Sequence, residues 1–273
     1  MAEKARLAVD IGGTFTDLCL EWNGKRTSTK VLTTPRAPEE GVLTGMTEIM
    51  KLSGAKPGDL GIIIHGTTLA TNAIIERKGA KTALIVTEGF RDSIEIAFEH
   101  RFEQYDIFMV KPTPLVPRDL RFGVPERMDG RGNVLVPLDE AAVKALVPKL
   151  KAAGVEAIAI GYMHAYLDGK HERRTRDILA EMLPGVSISL SSEISPEIRE
   201  YERWSTAVAN AYVQPVMDRY LGRLDAALRQ LGVVCPLFMI TSGGGLAALE
   251  TARKFPIRLV ESGPAGGAIL AAA

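Results

Sequence analysis

The sequence predicts an α/β fold built on a mixed sheet, and three observations predict it. The chain opens with three strand patterns in a meander, strands then alternate with helical patterns, and Gly-rich turns fall at strand ends. A meander supplies antiparallel neighbours and alternation supplies parallel ones, so the sheet is mixed.

The elements follow in order. Residues 6–10 form a short apolar run, 11–14 a Gly-rich turn and 16–21 a second extended stretch. Asn23-Gly24 is a two-residue hairpin signal, and 26–33 returns as a third strand. Residues 39–52 carry helical apolar spacing (Val42, Met46, Ile49, Met50) that stops at Gly54. A buried-type strand over 60–64, a helix over 67–78 and a second buried-type strand over 81–86 come next.

Prolines 112, 114, 117, 125 and 137 weaken the pattern over 90–138, which reads as an irregular excursion or a small β insertion. Regularity returns with a helix capped by Asp139 and running to 153, a strand over 155–162, a helix over 169–183 and a strand over 186–190. Residues 195–231 are almost continuously helical, with a break or restart expected at Pro215. A strand over 234–240 leads into Ser242-Gly243-Gly244-Gly245. The chain closes on Glu261-Ser262-Gly263-Pro264 and a small-residue helix, an ending expected of a truncated or split product.

Composition excludes several classes. The 273 residues allow one large domain or two smaller ones. Lys plus Arg (33) equals Asp plus Glu (33), which gives no electrostatic reason to expect nucleic acid or an anionic membrane as partner. Cys19 and Cys235 are far apart and have neither a disulfide framework nor metal-ligand spacing. Cys19, between Leu18 and Leu20, reads as a core residue. The opening residues hold no long apolar run, so a cytoplasmic enzyme is expected.

The strongest chemical signal is Asp10-Ile11-Gly12-Gly13-Thr14-Phe15-Thr16-Asp17, set between two strands. Bare positions at Gly12 and Gly13 let backbone N–H groups approach a polyphosphate, and Thr14 and Thr16 add hydroxyls. Asp10, ending the first strand, suits a hydrated Mg²⁺. The competing reading is a tight hairpin whose glycines serve only positive φ. A D-x-G-x-T pattern between two opening strands favours nucleotide phosphate. It is neither a Walker A loop, lacking Gly-Lys-Ser/Thr, nor a dinucleotide fingerprint, since no helix follows the first strand.

The second signal is the 65–72 stretch, with His65, Gly66, Thr67, Thr68 and Asn72, where a strand turns into a helix. Thr67 suits an N-cap, and first-turn N–H groups favour an anion or a carbonyl oxygen. His65 ends its strand where ligands bind in open α/β sheets. These residues are expected on the substrate side, His65 and Thr68 as catalytic. A capped helix with a structural histidine fits the same residues. The late loops add Ser242, Gly243 and Gly244, then Ser262 and Gly263, as further cofactor contacts, or as glycines allowing close packing. Residues 199–203 read as a solvated face, and His164 and His171 lack partners at zinc spacing.

Taken together, VDIGGTFTD at 9–17, HGTTLATNAIIERKGAKTALIVTEGFRD at 65–92, GVEAIAIGYMHAYLDGKHE at 154–172, SSEISPEIREYERWSTAVANAYV at 191–213, SGGGL at 242–246 and ESGPAGGA at 261–268 resemble the hydantoinase A/5-oxoprolinase/acetone carboxylase family. The resemblance spans nearly the whole chain in the family's order. It implies an actin-like, sugar-kinase-like (ribonuclease H-like) ATPase fold, whose superfamily shares the opening order of three strands and then α-β-α-β. It implies domains at 1–190 and 191–273, ATP and Mg²⁺ as cofactors, and a B-type subunit or domain as partner. Members activate an amide or ketone carbonyl with ATP, so the expected activity is opening of a cyclic amide. The alternatives are activation for an ATP-dependent ketone carboxylase and a non-catalytic scaffold. The family pattern continues with a second D-x-G-G-T loop, so this stretch is expected to carry at most half of a nucleotide cleft. The loop reads Ser242-Gly243-Gly244 where members often have Asn, and 161–165 also departs from the family, which bears on substrate and not on fold.

Overall fold

The computed structural model describes residues 4–34, 36–98 and 103–263. In chain order the first elements are β1 (Ala5–Ile11), β2 (Phe15–Trp22), β3 (Lys25–Leu32), α1 (Pro38–Ser53), β4 (Leu60–Thr67) and α2 (Leu69–Ile75). Next come β5 (Thr82–Thr87), α3 (Ser93–Ile96), β6 (Arg121–Val124), β7 (Arg127–Met128), β8 (Val134–Val136), α4 (Glu140–Ala152) and β9 (Ala157–Gly161). The last are α5 (Lys170–Met182), β10 (Ser187–Leu190), α6 (Ser191–Ile194), α7 (Glu200–Gln230), β11 (Leu237–Ile240), β12 (Leu246–Ala248) and α8 (Leu249–Lys254). They fall into two compact units, one of residues 4–78 with 216–263 and one of residues 79–215.

The first unit is built on a six-stranded sheet in the order β12-β11-β4-β1-β2-β3. The opening meander is antiparallel, while β1, β4 and β11 run parallel, so the sheet is mixed as the sequence predicts. Asn23 (φ 51°) and Gly24 (φ 70°) make the left-handed turn that joins β2 to β3 in unbroken register. Gly54 (φ 75°) ends α1 and donates its N–H to Met50 O.

Alternation decides what each face of this sheet does. Leu7, Val9 and Ile11 of β1 and Leu18 and Leu20 of β2 are buried, as are Val42, Met46 and Ile49 of α1. Burying each such side chain contributes about 2 kcal/mol. The approach of α1 is close: a Cβ at Gly45 would lie 2.1 Å from Leu18 Cδ1. The intervening residues, among them Ala8, Asp10, Asp17 and Cys19, point to the other face, which is open. Cys19 is therefore not the core residue that its apolar neighbours suggested, because its parity is opposite to theirs.

The second unit holds a parallel sheet in the order β10-β9-β5-β6 and a small β7–β8 ribbon. Every residue of β5 and β9 is buried, which explains their unbroken apolar runs. Asp139 caps α4 by accepting the Ala142 N–H.

One expectation is extended and two are corrected. The 90–138 excursion holds a small β insertion as expected, the β7–β8 ribbon, and also supplies a strand of the parallel sheet, β6, which is too short and mixed in composition to stand out. The helix expected over 67–78 is the seven-residue α2, since Thr67 stays in β4 and Arg77 turns the chain at φ 57°. Pro215 does not break its helix: α7 runs for 31 residues through it. His100, Arg101 and the segment 264–273 lie outside the described residues.

Candidate functional site

The β1–β2 turn carries the strongest sequence signal, and its geometry separates the two readings of its glycines. Gly12 N–H donates to Phe15 O (2.9 Å) and closes the turn. Neither Gly12 nor Gly13 has a positive φ, so backbone conformation does not call for glycine. At Gly12 packing does, because a Cβ would lie 3.2 Å from Phe15 O. At Gly13 the nearest atom to a Cβ is Asn72 Nδ2, 4.0 Å away, so nothing in the fold requires a bare position. Gly13 and Thr14 are exposed, and their N–H groups have no acceptor among the described residues. Two free amides beside a position kept bare suit an anion that approaches the main chain.

Asp10 stands next to this turn on the open face of β1. Burial and the neighbouring charge of Asp17 push its carboxyl pKa above the usual range. Gly66 is its neighbour on β4, and a Cβ there would come within 2.8 Å of Asp10 Oδ1. Glycine leaves room for the carboxylate. Asp10, Gly66, Gly244, Ser262 and Gly263 line one open concavity of about 970 Å³, floored by Ala8, Ile64, Ile240 and Leu246. Gly12, Gly13 and Thr14 are not among the residues that line this concavity, so it joins the Asp10 carboxylate to bare approach positions, while the free amides stand on the turn that follows β1. A carboxylate and free main-chain amides are the ligand types that suit a hydrated cation and a polyphosphate.

Several predicted residues lie elsewhere. Thr16 is buried on the α1 face, where its hydroxyl bonds Thr33 Oγ1 (3.0 Å), so it cannot reach the same ligand as Gly13. His65 has the opposite parity to Gly66 and is also buried. Its Nδ1 lies 3.2 Å from the Val9 carbonyl, which can only accept, so that nitrogen carries the proton. Nε2 then accepts from the Tyr220 hydroxyl (2.6 Å). Burial lowers the His65 pKa to about 4 and keeps the ring neutral. The placement of His65 on the substrate side is thereby corrected, and the structural-histidine reading describes its environment.

Thr67 is buried and takes the Leu69 N–H on its hydroxyl (3.2 Å), while the residue preceding α2 is Thr68. Thr68 ties α2 to the end of β1: its N–H and hydroxyl both donate to Ile11 O (3.1 and 3.3 Å). It also accepts from Asn72 Nδ2 (3.3 Å), which aligns that amide beside Gly13. Ser242, Gly243 and Gly244 form the β11–β12 turn, closed by Gly244 N–H to Thr241 O (2.9 Å). Gly244 is needed there for its φ of 78°. Ser242 and Gly243 line a separate, shallow hollow with Arg258, and only Gly244 reaches the Asp10 concavity. Sequence reasoning did not single out Asp17 and Lys30 as site residues, although both line the concavity. No helix among the described residues is long and apolar enough to cross a membrane.

Comparison with known proteins agrees with this architecture. The pattern of the hydantoinase/oxoprolinase N-terminal region matches residues 6–183, and the hydantoinase/oxoprolinase pattern matches residues 203–273. An uncharacterized protein of Methanocaldococcus jannaschii is 38% identical over 98% of this chain and 39% of its own. Caprolactamase subunit alpha of Pseudomonas jessenii is 36% identical over 96% of this chain and 39% of its own. The crystal structure of the ATP-dependent caprolactamase from that organism superposes with a TM-score of 0.87 at 37% identity, over 95% of this chain and 39% of that one. Nucleotide-free acetone carboxylase superposes with a TM-score of 0.85 at 26% identity, over 97% of this chain and 40% of that one. The chain thus spans about two-fifths of the length of these relatives. On the matched patterns and on the actin-like α/β fold shared with these structures, the chain belongs to the hydantoinase/oxoprolinase family.

Proposed function

We propose that this chain provides the phosphate-binding turn of an ATP-dependent enzyme that opens a cyclic amide of the hydantoin or 5-oxoproline type. The observation that carries the reading is the pair of free amides at Gly13 and Thr14, on the turn that follows Asp10, with Gly13 itself a glycine that neither its φ nor its neighbours require. Those amides would hold the phosphates of ATP, and Asp10 would hold Mg²⁺ through its water shell. Bound ATP supplies the phosphoryl group that turns an unreactive carbonyl oxygen into a leaving group. The chain's own contribution is positioning and charge. Gly13 admits the ligand to the main chain, Asp10 places positive charge, and Thr68 and Asn72 brace the turn from the start of α2. Ser262 and Gly263 line the same concavity as Asp10.

A cyclic amide is favoured over a ketone because the caprolactamase is the nearer of the two named structures, at 37% against 26% identity. By the same analogy with an enzyme whose relative is its alpha subunit, a second, B-type subunit is the expected partner.

The test uses the protein expressed from its whole reading frame, with its partner subunit. Gly13→Val keeps an allowed φ and meets no neighbour closer than 4.0 Å at its Cβ, so the melting temperature should stay within about 3 °C. ADP affinity should fall at least tenfold, about 1.4 kcal/mol. An unchanged affinity would remove the turn from the site. A panel of hydantoin, 5-oxoproline and caprolactam should stimulate ADP release without bicarbonate. Stimulation only by a ketone with bicarbonate would move the protein to the carboxylases.

A further inference from the structure

Within the unit of residues 79–215, the end of α3, the stretch after it and the start of α7 enclose a hollow of about 110 Å³. Among the described residues its lining includes Glu95, Phe98, Lys111 and Tyr201. Two of its walls are aromatic: the rings of Phe98 and Tyr201 meet edge to face, with centroids 4.8 Å apart. Beside them stand one acceptor and one donor, and each is anchored. Glu95 Oε2 accepts from Arg121 Nη2 (2.7 Å), and Arg121 Nε in turn donates to the Val116 carbonyl (2.9 Å). Glu95 Oε1 makes no hydrogen bond among the described residues. Lys111 Nζ donates to the Ile96 carbonyl (2.9 Å), which leaves further hydrogens of the ammonium for a ligand.

Closing this corner of the fold would not by itself call for such devices. Arg121 is buried, and its Nη1 makes no hydrogen bond and stands 3.9 Å from Asp92. A well-packed apolar side chain would fill that space at less cost. Ala97, also in the lining, holds φ 52° and ψ −135°, a conformation that residues with a Cβ avoid. Arg121 orients Glu95, and Ala97 turns the chain immediately before Phe98. Size narrows the ligand. A cavity of about 150 Å³ is enough for benzene. This hollow, smaller and open on one side, suits a five-membered ring and crowds a seven-membered one.

We propose that this hollow binds a five-membered ring carrying a carbonyl next to an N–H. Lys111 donates to the carbonyl oxygen, Glu95 accepts from the ring N–H, and Phe98 and Tyr201 cover the ring. A cyclic amide of the hydantoin or pyrrolidinone kind presents those two groups on adjacent atoms, so the hollow deepens the ring-opening reading above, on which the choice of ligand rests. Partners already anchored lose little freedom when the ring arrives. All four are binding residues, and none carries a chemical step.

The test titrates rings against the protein expressed from its whole reading frame, with its partner subunit and without nucleotide, by ligand-observed saturation-transfer resonance. Pyrrolidinone and hydantoin should bind. Cyclopentanone, which keeps ring and carbonyl but lacks the N–H, should bind about tenfold more weakly, because Glu95 would then be left unpaired. Caprolactam, too large, should also bind more weakly. Lys111→Met and Tyr201→Ala should each weaken pyrrolidinone about fivefold or more, while Tyr201→Phe, which keeps the aromatic wall, should retain it. Melting temperature checks the fold. The proposal is overturned if neither five-membered amide binds, if cyclopentanone or caprolactam binds equally well, or if Lys111→Met and Tyr201→Ala bind like wild type. The two readings fail separately. Rings that bind here as expected without stimulating ADP release leave the hollow standing and remove the ring-opening function. Rings that stimulate ADP release equally in wild type and Tyr201→Ala leave the function standing and remove the hollow.

Discussion

Asp10→Asn is expected to abolish turnover while leaving the protein as stable as before, or slightly more so. The loss should be on the order of a hundredfold or more, about 2.7 kcal/mol of barrier, because the amide keeps the shape of the carboxylate and gives up the charge that would place the metal. The stability effect has a definite sign. Burial and Asp17 raise the Asp10 pKa in the folded protein, so its ionisation is disfavoured there relative to the unfolded chain. Ionised Asp10 therefore costs stability at neutral pH, and asparagine removes that cost. Below the ordinary aspartate pKa of about 3.9 the wild-type carboxyl is protonated in both states and the difference vanishes. Melting curves of both proteins from pH 7 down to pH 4 should show the variant's advantage shrinking. Normal turnover per folded molecule in the variant would remove Asp10 from the site.

His65→Ala is expected to do the reverse and cost about 3 kcal/mol of stability. The Tyr220 hydroxyl, buried like the ring, would lose its acceptor, and the space of the imidazole would stay partly empty. The pH dependence adds a signature. The His65 pKa is lowered to about 4, below its unfolded value of 6.5. Between those values the unfolded chain takes up a proton that the folded protein refuses, so stability is full above pH 6.5 and declines as pH falls toward 4. The shift corresponds to about 3 kcal/mol across the window. His65→Gln should flatten this acid limb. A tenfold fall in turnover with an unchanged melting temperature would instead show the imidazole acting in the chemistry.

These two residues also show what was legible in the sequence. Asp10 could be placed because a turn rich in glycine between two strand patterns has few geometries, and the last residue of the first strand must stand beside it. His65 could not. Its strand, LGIIIHGT, is apolar on both faces, as a central parallel strand must be, so no alternation told which face His65 would share. Thr16 and Cys19 went astray for a related reason. Their facing depends on which side α1 covers, a tertiary fact absent from the local pattern. The first unit's meander, its hairpin turn and the Gly54 stop were readable because each rests on backbone chemistry within a few residues. The strand β6 was not, since Arg121-Phe122-Gly123-Val124 gains its place from pairing with β5 and not from its own composition.

The Asn23–Gly24 turn fixes more than a hairpin, because it sets how many residues separate Asp17 from Lys30. With the two-residue turn kept, one residue added there would bring Thr29 opposite Asp17 and drive Lys30 against α1, whereas a three-residue loop with a bulge would absorb the addition and leave Lys30 in place. Carried past residues 12–14 into β2, a single insertion would exchange its polar row for its leucines. A change of length therefore leaves the facing intact only where the turn itself absorbs it; carried into a strand, an odd change turns that strand inside out and an even one preserves the carboxylates on the open side.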